Sequence, residues 1–357
     1  MKKITFFHLY NDYSGSPRVL SILISSLIKR GYEVNLVTSD TEGFLSNIDG
    51  ATYHTYPFQW TPNKLITSLR LIIAQFCMLF IAFKLLKQTD LFYINTITPA
   101  AAAVVGKVFG KPTLYHVHEA YVNPNILHRF YHYVWSKCNT ESIFVSRYVR
   151  DKYNKETSPV VYNALPTSFT QSAIKKKQIS PIPYILMACS LKEYKGVTQF
   201  IQLAENLPNY NFHLVLNIEK EDSFLKQEFT PNLKVYHKQS EIVSFLKEAD
   251  LMLNLSIPNL WVETFGLTIL EAFTFGIPVI CPPVGGPLEL VSNGVEGFTV
   301  DARNIEETVQ KITTILNPDQ YTTFSTAAYN KSLCFSEEIM INSIIEHIHN
   351  TIDPLRK

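Results

Sequence analysis

No two cysteines in this sequence form a CxxC pair. The five that occur, Cys77, Cys138, Cys189, Cys281 and Cys334, are odd in number and widely spaced. That excludes a disulfide framework or a cysteine zinc site, and a reducing cytosol is expected. An excess of either charge is also missing. With 32 Lys and Arg against 31 Asp and Glu, the net charge is +1, so no nucleic-acid partner is expected. No GxGxxG occurs at the loop after the first strand, which counts against a dinucleotide oxidoreductase. No internal repeat of roughly 20–50 residues and no low-complexity tract is found. The N-terminal MKKITFFHLYNDYSGS lacks the apolar length of a signal peptide, because Asn11 and Asp12 end its run. It reads as a first strand.

Long apolar runs are scarce, with one exception. Leu65 to Leu86, LITSLRLIIAQFCMLFIAFKLL, is interrupted only near its ends, by Arg70 and Lys84. The stretch between those charges makes about 20 Å of helix, short of the roughly 20 residues that a span needs. Three readings stand: a buried core helix, a helix resting its apolar face on a membrane surface, and a span.

What is present is ample material for a core. Hydrophobic residues make up 46% of 357, comfortable for two domains. Short apolar runs alternate with helical patterns. ITFFHL, VNLVTS, LFYINT, TLYHVHE and SIFVS fall in the first half; YILMACS, FHLVLNI, LKVYH, LMLNLS and IPVIC fall in the second. They are too continuous to leave one face in water, so they predict parallel sheets covered on both sides. The pattern restarts near residue 180, after a polar, proline-flanked segment. The spacing therefore predicts an N-terminal Rossmann-like domain over 1–165, a linker over 166–183 and a second Rossmann-like domain over 184–335. A C-terminal helix over 336–357 has Ile341, Ile344, Ile345 and Ile348 at helical spacing.

Ligands in such sheets bind at the carboxyl ends of strands, so the loops there are the candidate sites. In NDYSGSPRVL, Ser16 reads as a helix cap with Pro17 at the first position, and Gly15 permits close backbone approach. That is an anion site or a plain helix start. In YHVHEAY, His118 is a ligand contact or a structural histidine. His116 and His118 are read as pointing to opposite faces, which makes a two-histidine chelate poor. In SLKEYKG, Lys195 beside Gly196 suits a diphosphate. In WVETFGLTILEAFTFGIPVI, Glu263 precedes a glycine turn and Glu271 follows in a helix. Carboxylates there suit sugar hydroxyls, while Thr268-x-x-Glu271 also fits a capping box.

Glu263 to Glu271 enclosing FGL, then EAFTFGIPVI, PVGGPLELV and NGVEGFTV, resembles the C-terminal signature of family-4 retaining glycosyltransferases of GT-B fold. YSGSPRVL, YHVHE, IFVSRYVRDKY, VVYNALP and LKEYKG resemble further passages of that family. The resemblance implies two doubly wound domains facing a cleft, with the last helix crossing back to the first. It implies a nucleotide-sugar site in the second domain. There Lys195 and the backbone of Phe265, Gly266 and Leu267 would hold the diphosphate, Glu271 the ribose and Glu263 the donor sugar. Backbone around Val235 to Lys238 would meet the base. Gly15, with Ser16 beside it, and His118 would approach from the first domain, His118 near the reacting carbon.

The implied reaction is metal-free hexose transfer, with no cofactor and with retention at the anomeric carbon. The implied donor is a UDP- or GDP-sugar and the acceptor a lipid-linked or polysaccharide glycan at the inner face of the cytoplasmic membrane. The setting is surface-glycan assembly: capsule, exopolysaccharide or O-antigen. Two departures stand out. Ser190 occupies the place of an arginine, for which Arg18 is a partial replacement, and Asn163-Ala164 replaces Asn-Gly. The rival readings are a nucleotide-binding non-catalytic subunit and a nucleotide-sugar 2-epimerase.

Overall fold

The computed structural model describes residues 2–173, 178–237 and 242–353. The chain divides into two compact units, Met1–Asn163 with Glu337–Lys357, and Ala164–Ser336.

The first unit holds one parallel sheet of β1 (Lys3–Phe7), β2 (Glu33–Ser39), β3 (Ala51–Tyr56), β4 (Leu91–Asn95), β5 (Thr113–Val117) and β6 (Glu141–Phe144), in the order β3-β2-β1-β4-β5-β6. The order reverses between β1 and β4, which opens a crevice at their carboxyl ends. The inner strands β4 and β5 are buried throughout and β1 from its second residue on, whereas edge strand β3 is mostly exposed. That exposure is why ATYHTY shows no continuous apolar run. Helix Glu337–Ile352 belongs to this unit. It buries Met340, Ile341, Ile344 and Ile348. Arg30 donates to Asn342 at 2.6 Å and His347 pairs with Glu141 at 2.8 Å.

Three helices, α1 (Gly15–Lys29), α2 (Lys64–Leu85) and α3 (Ala100–Val108), follow β1, β3 and β4, and α4 (Asn125–Cys138) follows β5. Asn63 caps α2 through its side chain, accepting from Leu65 and Ile66. α2 buries one stripe, Leu71, Ala74, Met78, Ala82 and Leu85. Its outward face is also apolar: Leu65, Leu69, Phe76, Phe80 and Phe83 are exposed. It is therefore not a buried core helix. By length and composition, Lys64–Gln88 could cross a membrane, at a mean hydropathy of 2.1, but its buried stripe is packed into this unit's core.

The second unit repeats the plan with β7 (Tyr184–Cys189), β8 (Asn211–Leu216), β9 (Leu233–Tyr236), β10 (Leu251–Leu253), β11 (Val279–Cys281) and β12 (Gly297–Thr299). All pairings are parallel, in the order β12-β11-β10-β7-β8-β9. Here the reversal falls between β7 and β10. Of the segment 166–183, residues 167–171 form a short helix, and 174–177 lie outside the described residues.

Candidate functional site

The loops at the second unit's reversal point bring two charged side chains together. The loop after β7 ends in a short turn, Glu193–Lys195, and Gly196 then caps helix Val197–Asn206. Gly196 sits at φ +77°, and a Cβ there would lie 2.2 Å from the Leu255 carbonyl oxygen. The two loops touch backbone to backbone, so this position admits no side chain. The loop after β10 carries Glu263. Lys195 Nζ donates to Glu263 Oε1, and Ser256 Oγ donates to the same oxygen at 3.2 Å. Both partners of the ion pair keep about a fifth of their side chains exposed. Burial pushes the nearby Cys189 thiol up to about 12, so it is inert at neutral pH.

The Glu263 loop is braced from below by the glycine pair after β11. Gly286 N donates to the Glu263 carbonyl at 2.9 Å. A Cβ on Gly286 would lie 2.3 Å from the Thr264 carbonyl oxygen, and one on Gly285 would lie 2.5 Å from that of Glu263. Gly266 caps helix Leu267–Thr274. The Leu267 and Thr268 amides precede the first bonds of that helix, which run from Ile269 and Leu270 to the Gly266 carbonyl, and carry the positive end of its dipole. Phe265 is buried and meets Phe335 edge-on. Glu271 is buried in the second turn. The capping-box reading fails, because Gly266 is the cap and Thr268 lies inside the helix. Val235 belongs to edge strand β9, where it pairs with Leu214 and packs on the unit's core. Lys238 lies outside the described residues. Ser190 follows β7 directly, and its carbonyl accepts from Lys192 N at 2.8 Å.

The first unit's reversal point is built from neutral groups. His8, Asn95 and His118 follow or end β1, β4 and β5. Asn95 Nδ2 donates to His8 Nδ1 at 3.0 Å, and His118 Nε2 meets Asn95 Oδ1 at 3.1 Å. The amide carbonyl accepts, so His118 carries its proton on Nε2 and leaves Nδ1 as a lone pair. Burial holds His8 down to about 4 and His118 well below its ordinary value, the latter helped by neighbouring His116 and His8. Glu119 accepts from Ile97 N at 3.3 Å, and burial pushes its carboxyl up to about 7. It ties the loop after β4, where Thr96 takes φ +73°, to the loop after β5.

Two expectations are corrected here. Helix α1 starts at Gly15, and its cap is Ser14, not Ser16. Ser14 has no capping side-chain bond, and its Oγ donates to Asp12 at 2.5 Å instead. Arg18 stands in the first turns with its guanidinium 5.8 Å from the Phe44 ring centroid. His116 and His118 do not point to opposite faces. Residues two apart along a strand share a face, and the ring centroids are 4.2 Å apart. Among the described residues, no group of three or more His, Cys, Asp or Glu is placed to hold a metal. Sequence reasoning missed His8, Asn95, Ser256 and the bracing by Gly285 and Gly286. For the first two a signal existed, since both stand where strands flanking the reversal end.

Two family models divide the chain between them. A glycosyltransferase family 4 model matches residues 13–169, and a model of glycosyl transferases group 1 matches residues 170–331. The chain belongs to the family 4 glycosyltransferases of GT-B fold. A sucrose synthase of Melioribacter roseus is 54% identical over 59 residues, 16% of this chain and 7% of that enzyme. A Campylobacter jejuni N,N'-diacetylbacillosaminyl-diphospho-undecaprenol α-1,3-N-acetylgalactosaminyltransferase is 27% identical over 149 residues, 41% of this chain and 39% of that enzyme. The chain thus aligns with well under half the length of either relative. Among solved structures, Anabaena HepE in complex with UDP and glucose superposes with a TM-score of 0.76 at 19% identity, covering 98% of this chain and 99% of that one. That likeness carries the GT-B fold.

Proposed function

We propose that this glycosyltransferase moves a hexose from a UDP- or GDP-linked donor to a lipid-linked or polysaccharide acceptor, with retention at the anomeric carbon and without a metal. The Lys195–Glu263 pair across the second unit's reversal point carries the reading. In the resting site Glu263 holds Lys195 in place. A bound diphosphate takes over the lysine and the amides of Phe265, Gly266 and Leu267, which neutralise it as the leaving group departs. Glu263, released toward the sugar, and Glu271, toward the ribose, accept hydrogen bonds from hydroxyls. Gly15, Ser16 and Arg18 stand at the first unit's reversal point as further substrate contacts. His118 offers a neutral lone pair to a sugar hydroxyl. Ser190 supplies no cation, which leaves Lys192 and Lys195 as the cations of this loop.

The donor class is supported by the UDP and glucose held by HepE. The acceptor class is supported by the diphospho-undecaprenol named for the Campylobacter relative. Peripheral attachment to the inner face of the cytoplasmic membrane is supported by the outward apolar face of α2. Capsule, exopolysaccharide or O-antigen assembly follows as the setting. A melting panel with UDP, GDP, ADP, CMP and dTDP, with and without EDTA, tests the donor site. One nucleotide at about 100 times its Kd adds about 2.7 kcal/mol to the second unit, and EDTA leaves that shift unchanged. A flat panel contradicts the proposal and favours a non-catalytic subunit. Donor consumed with no acceptor present favours the epimerase.

A further inference from the structure

Helices α2, α3 and α4 enclose an apolar groove of about 270 Å³, close to the roughly 300 Å³ at which small-ligand pockets begin. Leu71 and Leu79 of α2 and Leu127 of α4 form its walls; Ile72, Phe76 and Phe130 stand at its mouth, each more than half exposed. Gln75 is the one amide on the lining, and both its ends are engaged. Its Nε2 donates to the Thr98 carbonyl at 2.9 Å, and its Oε1 accepts from Ala101 N at 3.0 Å. The groove thus offers a guest no free amide, and aliphatic guests suit it best.

Its surroundings say what kind of guest. Residues 57–140 hold eight Lys and Arg but only Asp90 and Glu119, a net +6, so the rest of this +1 chain carries −5. Within α2, α3 and α4 there is no Asp or Glu at all, while Arg70, Lys107 and Arg129 stand on the three helices in turn. Of the two acids, Glu119 is half-buried and accepts from Ile97 N, and Asp90 accepts from Lys3 N at 2.7 Å. Exposed apolar side chains and cations without acids match an anionic lipid surface.

We propose that this groove is a hydrocarbon-chain slot. It takes one chain of an anionic membrane lipid, while Arg70 of α2 and Arg129 of α4, next in sequence to the lining residues Leu71 and Phe130, hold the headgroup. The inference rests on the membrane attachment proposed above and sharpens it, since a flat apolar face needs no groove.

The test titrates the purified chain with hexyl, octyl and decyl phosphate below their micelle concentrations, and separately floats it with phosphatidylcholine–phosphatidylglycerol vesicles. Each added methylene strengthens binding about fourfold until the slot is full, and affinity then levels off. Phe130→Glu, at an exposed position in the mouth, weakens octyl phosphate at least about tenfold. Phe83→Glu makes the same charge change at an equally exposed position of α2 outside the groove. It leaves octyl phosphate within about twofold while weakening vesicle flotation. Melting midpoints confirm that both variants fold.

Affinity independent of chain length, equal loss in both variants, or displacement of the probe by saturating UDP overturns the slot. A chain that floats with vesicles yet ignores alkyl phosphates overturns the slot alone. One that does neither overturns the membrane attachment as well.

Discussion

The two sheets reverse their strand order in the same way, yet the loops at the two reversal points are built from opposite chemistry. In the second unit, Lys195 and Glu263 meet as ions at the surface. In the first, His8, Asn95 and His118 meet as neutral, buried groups. An ion pair open to water can exchange one partner for a ligand at little cost, because neither ion has been fully desolvated. A buried neutral network cannot take up a full charge cheaply. It can present a hydrogen-bond acceptor whose orientation is fixed in advance. On the proposed function, the same fold prepares one unit for an anion and the other for hydroxyls.

The sharpest way to break that comparison is to mutate one residue on each side. Glu263→Gln lowers the rate of hexose transfer by about 100-fold, the scale of one lost electrostatic contact to a transition state. His118→Ala lowers transfer by about tenfold, the scale of one lost hydrogen bond, and leaves UDP affinity unchanged. Both are read by steady-state kinetics beside nucleotide titration. If His118→Ala weakens UDP as much as it slows transfer, the division of labour is wrong.

A smaller effect tests the bracing. Gly286→Ala places a methyl 2.3 Å from the Thr264 carbonyl oxygen. It destabilises the second unit by about 1–3 kcal/mol. Hydrogen exchange resolves the two units separately and is expected to show faster exchange only in Ala164–Ser336.

The smallest effect concerns pH. Folded Glu119 keeps its proton up to about 7, against an ordinary 4.5. Its stabilising share is complete below pH 4.5 and is lost as pH rises toward 7. His8 runs the other way. It is held down to about 4 against an ordinary 6.5, so its share is complete above 6.5 and is lost as pH falls toward 4. His116, lowered to about 3 by burial, adds to the histidine side. The carboxyl therefore offsets part of the acid sensitivity of the histidines. Glu119→Gln keeps an acceptor for Ile97 but removes that offset. Its stability falls more steeply between pH 6.5 and 4.5 than that of the wild type, by about 1.4 kcal/mol per pH unit for one proton. Urea titrations across that range, followed by a probe in the first unit, check the slope.

Much of this was legible in the chain. Continuous apolar runs marked the inner strands, because both of their faces are covered. Edge strand β3 escaped for its exposure, and β12 because GFT holds a single large apolar residue and so shows no apolar run. The loops holding Lys195, Gly196 and Glu263 were found because strand ends and glycine turns are local signals. The partnership of Lys195 with Glu263 spans 68 positions, and no local pattern carries it. The bracing by Gly286 is a contact of backbone with backbone, which leaves no residue type to read beyond glycine itself. The cap of α1 was misplaced because Ser14 and Ser16 both precede an apolar run, and only the extended backbone of Ser14 beside a helix that starts at Gly15 distinguishes them. That His116 and His118 share a face is legible in the chain, because side chains two apart along a strand point the same way. For Leu65 to Leu86, hydropathy alone could not decide between core and surface, since both faces of the helix are apolar.

The most direct test of the account is a calorimetric titration of UDP and of GDP, in EDTA, into the wild type and into Lys195→Ala. One nucleotide binds the wild type, and the variant binds it about 10- to 100-fold more weakly, the loss expected when a charge-assisted contact to a diphosphate is removed. Equal affinity in the two proteins would place the diphosphate elsewhere and contradict the assignment of the Lys195–Glu263 pair.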